Sequence, residues 1–263
     1  MKTFKQFLAE ATEQEVTTRN GKIVPKDTKE LKKLVRDESI HLGDIDTSKI
    51  TDMSWLFYSS YRYDFSGIEY WDVSNVTNMN KMFWECTSFN QSLNNWDVSK
   101  VTDMKGMFSG CSSFNQPLNK WNVSNVTNMS EMFQGCSYFN QPLDKWNVSK
   151  VTDMSEMFQG CDDFNQPLNN WNVSNVTDMK GMFWNCRRFN QPLDKWNVSK
   201  VTDMSFMFIA CYKFNQPLDK WNVKNVISVA GMLLGTDDFR QDLSRWSKVN
   251  PDLDLDSLYE DNY

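Results

Sequence analysis

Leu143-Asp144-Lys145-Trp146-Asn147-Val148-Ser149-Lys150-Val151 is one copy of a motif that returns through most of the chain, its apolar letters fixed and its polar letters drifting. Its tryptophan belongs to a row, Trp71, Trp96, Trp121, Trp146, Trp171, Trp196, Trp221 and Trp246, spaced by 25 residues throughout. A unit of that length cannot bury an apolar face alone, so the copies must stack, each touching only its neighbours. Trp146 and Val148 alternate with Lys145 and Asn147, which predicts a short strand with the apolar pair turned inward. Val151, Met154, Met157, Phe158 and Cys161 follow at helical spacing. Asp153 and Glu156 have the form of a capping box, so a helical turn is expected there. Phe164-Asn165-Gln166-Pro167 then turns the chain into the next copy, the proline discouraging further helix.

Ahead of the array, residues 2–14 have Phe4, Phe7, Leu8 and Ala11 at the spacing of an amphipathic helix. Asn20-Gly21, between Val16 and Ile23-Val24, predicts a hairpin. A second helix is expected over residues 27–38, with Asp27 or Thr28 as N-cap and Leu31, Leu34 and Val35 as its buried stripe, capping the first rung. The chain thus divides into 1–25 (helix and hairpin), 26–44 (capping helix), 45–246 (repeats) and 247–263 (an acidic tail). The first repeat, from Ile45, is one residue longer than the rest, the extra residue falling near Asp64 to Gly67. The rung from Trp221 is worn: Ile227-Ser228-Val229 stands for Thr-Asp-Met, and Thr236 for cysteine. The tail holds five acids and one lysine over 247–263, a composition that fits either a short covering segment or a mobile acidic end.

A net charge of −6 argues against a nucleic-acid partner, which needs a basic stripe. The single histidine, His41, leaves no basis for histidine acid–base chemistry or a multi-histidine metal site. Cys86, Cys111, Cys136, Cys161, Cys186 and Cys211 fall once per copy, which favours a ladder of buried thiols over disulfides. Zinc is disfavoured because its ligands must converge on one point. No run of 18 apolar residues suggests a transmembrane helix. The first ten residues lack the apolar core of a secretory signal, so the chain is expected to stay in the compartment where it is made. No phosphate loop, nucleophile elbow or paired-carboxylate signature occurs, so no enzyme activity, catalytic residue, cofactor or metal is expected. The aspartates of Thr-Asp-Met are read as helix caps rather than calcium ligands.

The candidate binding residues are those that depart from the repeat. Trp184, Arg187, Arg188, Phe206, Ile209, Tyr212 and Lys213 replace small polar residues in the late rungs, and an aromatic patch with arginines has the composition of a protein interface. The alternative places Trp184 and Phe206 folded over the surface and partly buried. Trp84 and Tyr138 are isolated candidates. The outward rows Lys120, Lys145, Asn170, Lys195, Lys220 and Asp97, Asn122, Asn147, Asn172, Asn197 read as a solvated ladder or as a functional face.

The recurring order Val-Thr-Asp-Met, Met-Phe, Gly-Cys and Phe-Asn-Gln-Pro-Leu resembles the BspA-like leucine-rich repeat, in the branch of mycoplasma surface lipoproteins, over residues 26–246. The resemblance implies an α/β, leucine-rich-repeat-like right-handed solenoid with short parallel strands, a helical turn per 25-residue rung and an N-terminal capping helix. It also implies binding or adhesion rather than catalysis. Met1–Ala11 is similar to the capsid-targeting peptide of internal head proteins in T-even-type phages. That likeness implies processing after Leu8-Ala9-Glu10, at Glu10. The expected function is a non-catalytic protein-binding scaffold associated with a phage virion and packaged in its head. Head or tail proteins would then be its partners, and the virion or host cytoplasm its location. The alternative is a surface adhesion and recognition protein of the bacterial cell surface.

Overall fold

The computed structural model describes residues 17–60 and 62–260. Regular secondary structure sits at the two ends. Strands β1 (Thr18–Arg19) and β2 (Lys22–Ile23) pair antiparallel, joined by Asn20 and Gly21, both at positive φ. That is the hairpin expected of Asn-Gly. Helix α1 (Thr28–Arg36) starts at Asp27, whose side chain accepts the Glu30 N–H at 2.8 Å, and it buries Leu31, Leu34 and Val35. The helix expected over residues 2–14 lies outside the described residues.

Between the ends the chain piles up in coils of 25 residues. Single parallel bridges link Asp52, Asn78, Asp103, Asn128, Asp153, Asp178, Asp203 and Ser228, one contact per rung. The strand expected at Trp146–Val148 does not form, because the bridge sits instead at the Asp or Asn of Thr-Asp-Met. The expected helical turn is absent too. Two residues per rung hold left-handed φ, as Glu156 (56°) and Gly160 (71°) do, and a left-handed residue every fourth position breaks a right-handed helix. The segment is a run of tight turns: Met157, Gln159 and Cys161 donate to the carbonyls of Met154, Glu156 and Phe158 at 2.9–3.3 Å. The intervening N–H groups leave the rung. Those of Met154, Glu156, Phe158 and Gly160 reach the carbonyls of Asp178, Lys180, Met182 and Trp184 at 2.7–3.0 Å. Thr152 and Asp163 answer in the other direction, to Thr127 at 2.9 Å and Ser137 at 3.1 Å. The capping-box reading fails with the helix, since Asp153 Oδ1 instead accepts the Ser155 N–H in a local turn.

The fixed letters close a dry interior of columns. The indoles of Trp121, Trp146 and Trp171 stack, as do those of Trp196, Trp221 and Trp246, with centroids 6.3–6.5 Å apart and planes within 9°. Phe108, Phe133, Phe158, Phe183 and Phe208 form a second column at 5.6–5.7 Å. Each interior polar atom has a fixed duty. Trp146 Nε1 donates to the Leu118 carbonyl at 3.1 Å, and the other seven repeat tryptophans bond the preceding rung alike. A leucine in this slot would lose that bond and leave the carbonyl only the Trp121 N–H of its own turn. The Asn of Phe-Asn-Gln-Pro forms a further ladder: Asn140 Oδ1 accepts the Asn165 N–H at 3.1 Å and the Gln166 amide at 2.9 Å.

Both ends are closed. Arg62, in the segment between Ser60 and Ile68 that holds the extra residue, is 4% exposed. Its guanidinium donates to the carbonyls of Val35, Asp37, Ile40 and Asp64 at 2.6–3.4 Å, tying the end of α1 to the first rung. At the far end, helix α2 (Ser244–Val249) is followed by a turn, Asp256–Tyr259. The Ser257 and Leu258 carbonyls accept the Gly231 and Leu233 N–H groups at 2.8 and 2.9 Å, where a further rung would sit. The acidic tail is thus a covering segment, one of the two forms its composition fits.

Candidate recognition surface

The late-rung residues meet on the surface, though not as an exposed aromatic patch. Phe206 is only 8% exposed and lies against Gly231, where an added Cβ would come within 2.7 Å of its ring. Trp184 is half-buried, its ring centroid 6.0 Å from that of Phe206, and Ile209 is half-buried as well. Tyr212, Arg187, Arg188 and Lys213 are exposed. Stacking puts each cation next to an acid one rung away: Arg187 to Asp162 at 3.4 Å, Arg188 to Asp163 at 3.3 Å and Lys213 to Asp238 at 3.2 Å. Such pairs at the surface contribute little to stability and remain available to a partner. The interface composition is present, with its aromatic half mostly inside. Tyr138 is exposed in the same column as Asp163, Arg188 and Lys213.

A second cluster lies in the first rungs, and of its members only Trp84 stood out in the sequence. Trp55 stacks on Trp84 at 5.4 Å, Tyr58 meets both edge-on, and Trp55 and Tyr58 are exposed. Lys81 places its ammonium 3.2 Å from the Trp84 ring centroid and 3.5 Å from Glu131, passing over Gly106. Glycine at 106 is what lets the lysine reach two rungs along. The 25-residue spacing does not mark this cluster, because the longer first repeat offsets its members by 26, so that Trp55 lies in the column of Lys81 and Tyr58 in that of Trp84.

Electrostatic shifts follow burial. Burial pushes the Cys86 thiol up to about 12 and the other column thiols upward as well. All six cysteines are free, and each thiol points at a carbonyl of the preceding rung, as Cys161 does at Phe133, 3.0 Å away. They are structural hydrogen-bond donors. Asp178 and Glu156 are raised, burial leading in both. The flanking Asp153 and Asp203 add to the first, and Glu131 adds to the second. Among the described residues no group of His, Cys, Asp or Glu has the geometry of a metal site, and no helix is long and apolar enough to cross a membrane. Met1–Ala11, with Glu10, lies outside the described residues.

A family model described as "Mycoplasma protein of unknown function, DUF285" matches residues 28–145 and again 127–246. No curated protein matches. Among solved structures, an internalin from Listeria monocytogenes is 10% identical over 98% of this chain and 93% of that one, with a TM-score of 0.14, a likeness too slight to place the fold. None of these findings supports a link to phages.

Proposed function

Because this chain belongs to the DUF285 family of mycoplasma proteins, we propose that it is a non-catalytic recognition scaffold of the bacterial cell surface, binding a protein partner through its late rungs. One observation carries the reading. The repeated side chains are spent on holding rung to rung, whereas the residues that break the repeat, Arg187, Arg188, Tyr212 and Lys213, face outward, their side chains restrained by exposed ion pairs and, at Arg187, a bond to Asn185. Residues free to vary on a rigid stack are where such folds place specificity. The parallel 25-residue register also supports the finer architectural reading, a right-handed leucine-rich-repeat-like solenoid.

Protease shaving of intact cells tests the location, with release of the protein from the outer surface as the expected result. Pull-down from a partner cell's surface extract tests the face. A prey recovered by the wild type and lost with Arg187→Ala plus Tyr212→Ala supports it, and equal recovery by both removes the late rungs from consideration.

A further inference from the structure

The closure at the first rung leaves one gap. From the second rung on, two carbonyls of the linked turns are filled by N–H groups of the rung before. Phe57 and Ser59 donate to Met82 and Trp84, both at 2.8 Å, and Phe83 and Glu85 donate to Met107 and Ser109 at 2.9 and 2.7 Å. The same pairing recurs down to Phe208 and Ala210, which reach Met232 and Leu234. In the first rung the corresponding carbonyls are those of Leu56 and Tyr58, and among the described residues no N–H donates to either. Helix α1 covers this end with side chains, and its Thr28 hydroxyl takes the Asp52 carbonyl, earlier in the rung, at 2.7 Å. Beside the last turn of α1 a cleft of about 320 Å³ opens on Leu56 and Tyr58, with Val35, Arg36, Glu38 and Ser60 along its other walls. Arg36 and Glu38 offset one another, so what the cleft offers in excess is acceptors. Tyr58, exposed and edge-on to Trp55, adds an aromatic wall.

The repeat itself shows what such a pair of acceptors takes. Its donors are backbone N–H groups two residues apart, the first on a phenylalanine and the second on a residue with left-handed φ. That second residue is Ser59 (48°), Glu85 (60°), Gly110 (77°), Gly135 (70°) and Gly160 (71°) in the first five rungs. Glycine reaches this conformation without strain, so a segment arriving from outside meets both carbonyls most readily with the order apolar residue, any residue, glycine. An organic cation would gain from the two oxygens but meets Arg36 in the same cleft. An edge of unpaired backbone groups is also where a sheet accepts a further strand. We propose that this gap binds a segment of a partner protein carrying apolar-x-Gly, which adds part of a rung as its two N–H groups meet the Leu56 and Tyr58 carbonyls. The site lies in the first rung, away from Arg187, Tyr212 and Lys213, so it goes beyond the late-rung reading and uses none of its residues.

The probe is a labelled synthetic peptide, Met-Ser-Glu-Met-Phe-Gln-Gly, the sequence of residues 154–160, titrated with the full chain by fluorescence anisotropy. The expected result is saturable binding, with the carbonyl carbon resonances of Leu56 and Tyr58 moving as the site fills. N-methylation of the peptide's Phe and Gly amides removes the two donors and should weaken binding about tenfold or more. Glu38→Trp, an exposed change that sets a ring across the cleft, should weaken it to a similar degree with the melting temperature little changed. If that variant melts early, the N-methylated peptide and the two resonances still decide. No binding, equal binding of the N-methylated peptide, or shifts elsewhere with Leu56 and Tyr58 unmoved overturns the proposal. Tighter binding by Phe4→Ser with Phe7→Ser would make the chain's own first residues the occupant, and self-association reversed by the peptide would make it a second copy; either overturns the partner assignment. The Arg187 and Tyr212 substitutions should leave this affinity unchanged, so the two readings fail separately.

Discussion

The Cys161 thiol donates to the Phe133 carbonyl at 3.0 Å, and at the equivalent place in the worn rung the Thr236 hydroxyl donates to Phe208 at 2.7 Å. The column therefore selects a compact buried donor rather than sulfur. Cys161→Thr should cost less than about 1 kcal/mol in denaturant unfolding, while Cys161→Ala, which removes the donor and opens a small void although the Cys136 N–H still pairs the Phe133 carbonyl, should cost about 1–2 kcal/mol. Asp178 gives a prediction of opposite sign. Its carboxyl binds a proton more tightly when folded, so its charge weakens the fold as pH rises through the raised value, and the effect vanishes in acid below the unfolded one. Asn128 already occupies this column and caps the same turn. Asp178→Asn should accordingly raise the neutral-pH melting temperature by on the order of 1–3 °C, a gain absent near pH 3.

At the scale of elements, α1 depends on a residue outside it. Arg62 bonds carbonyls at and beyond the helix end, and burial, opposed by Asp64, Glu38 and Asp37, lowers the pKa of a guanidinium that stays charged. Arg62→Met removes the donors to the Val35 and Ile40 carbonyls and leaves Asp37 only the Ile40 N–H. We expect a loss of about 3 kcal/mol or more, with amide exchange in α1 accelerating ahead of the central rungs. Hairpin, capping helix and repeat period were legible in the sequence because Asn-Gly, Asp27 and the tryptophans act locally or recur. The character of the rung was not. Val151, Met154, Met157, Phe158 and Cys161 have a spacing that linked turns produce as readily as helix. The glycines at 110, 135 and 160 were the signal for left-handed backbone, yet Glu131 and Glu156 adopt it where only Gly106, Gly181 and Gly231, in the same column of other rungs, point to it. The late-rung patch was half legible: register put Trp184 beside Ile209, but only the fold shows Phe206 packed against Gly231 and next to Trp184.

At the scale of the whole molecule, the ends decide whether the stack stops. Removing residues 251–263 would bare the Gly231 and Leu233 N–H groups and the apolar surface beneath. We expect that truncation to self-associate relative to the full chain, as sedimentation velocity would report; an unchanged distribution would mean the tail is dispensable. The inter-rung bonds also share a heading, four toward the C-terminal end against one or two returning in each central rung. Peptide groups aligned in this way add their dipoles, as in a helix, rather than cancelling as in most sheets. The molecule is in effect a small bar with a positive pole at the tail and a negative pole at α1. Asp252, Asp254 and Asp256 sit at the first pole and Lys29, Lys32 and Lys33 at the second, so the charges at each end offset the field of the backbone between them.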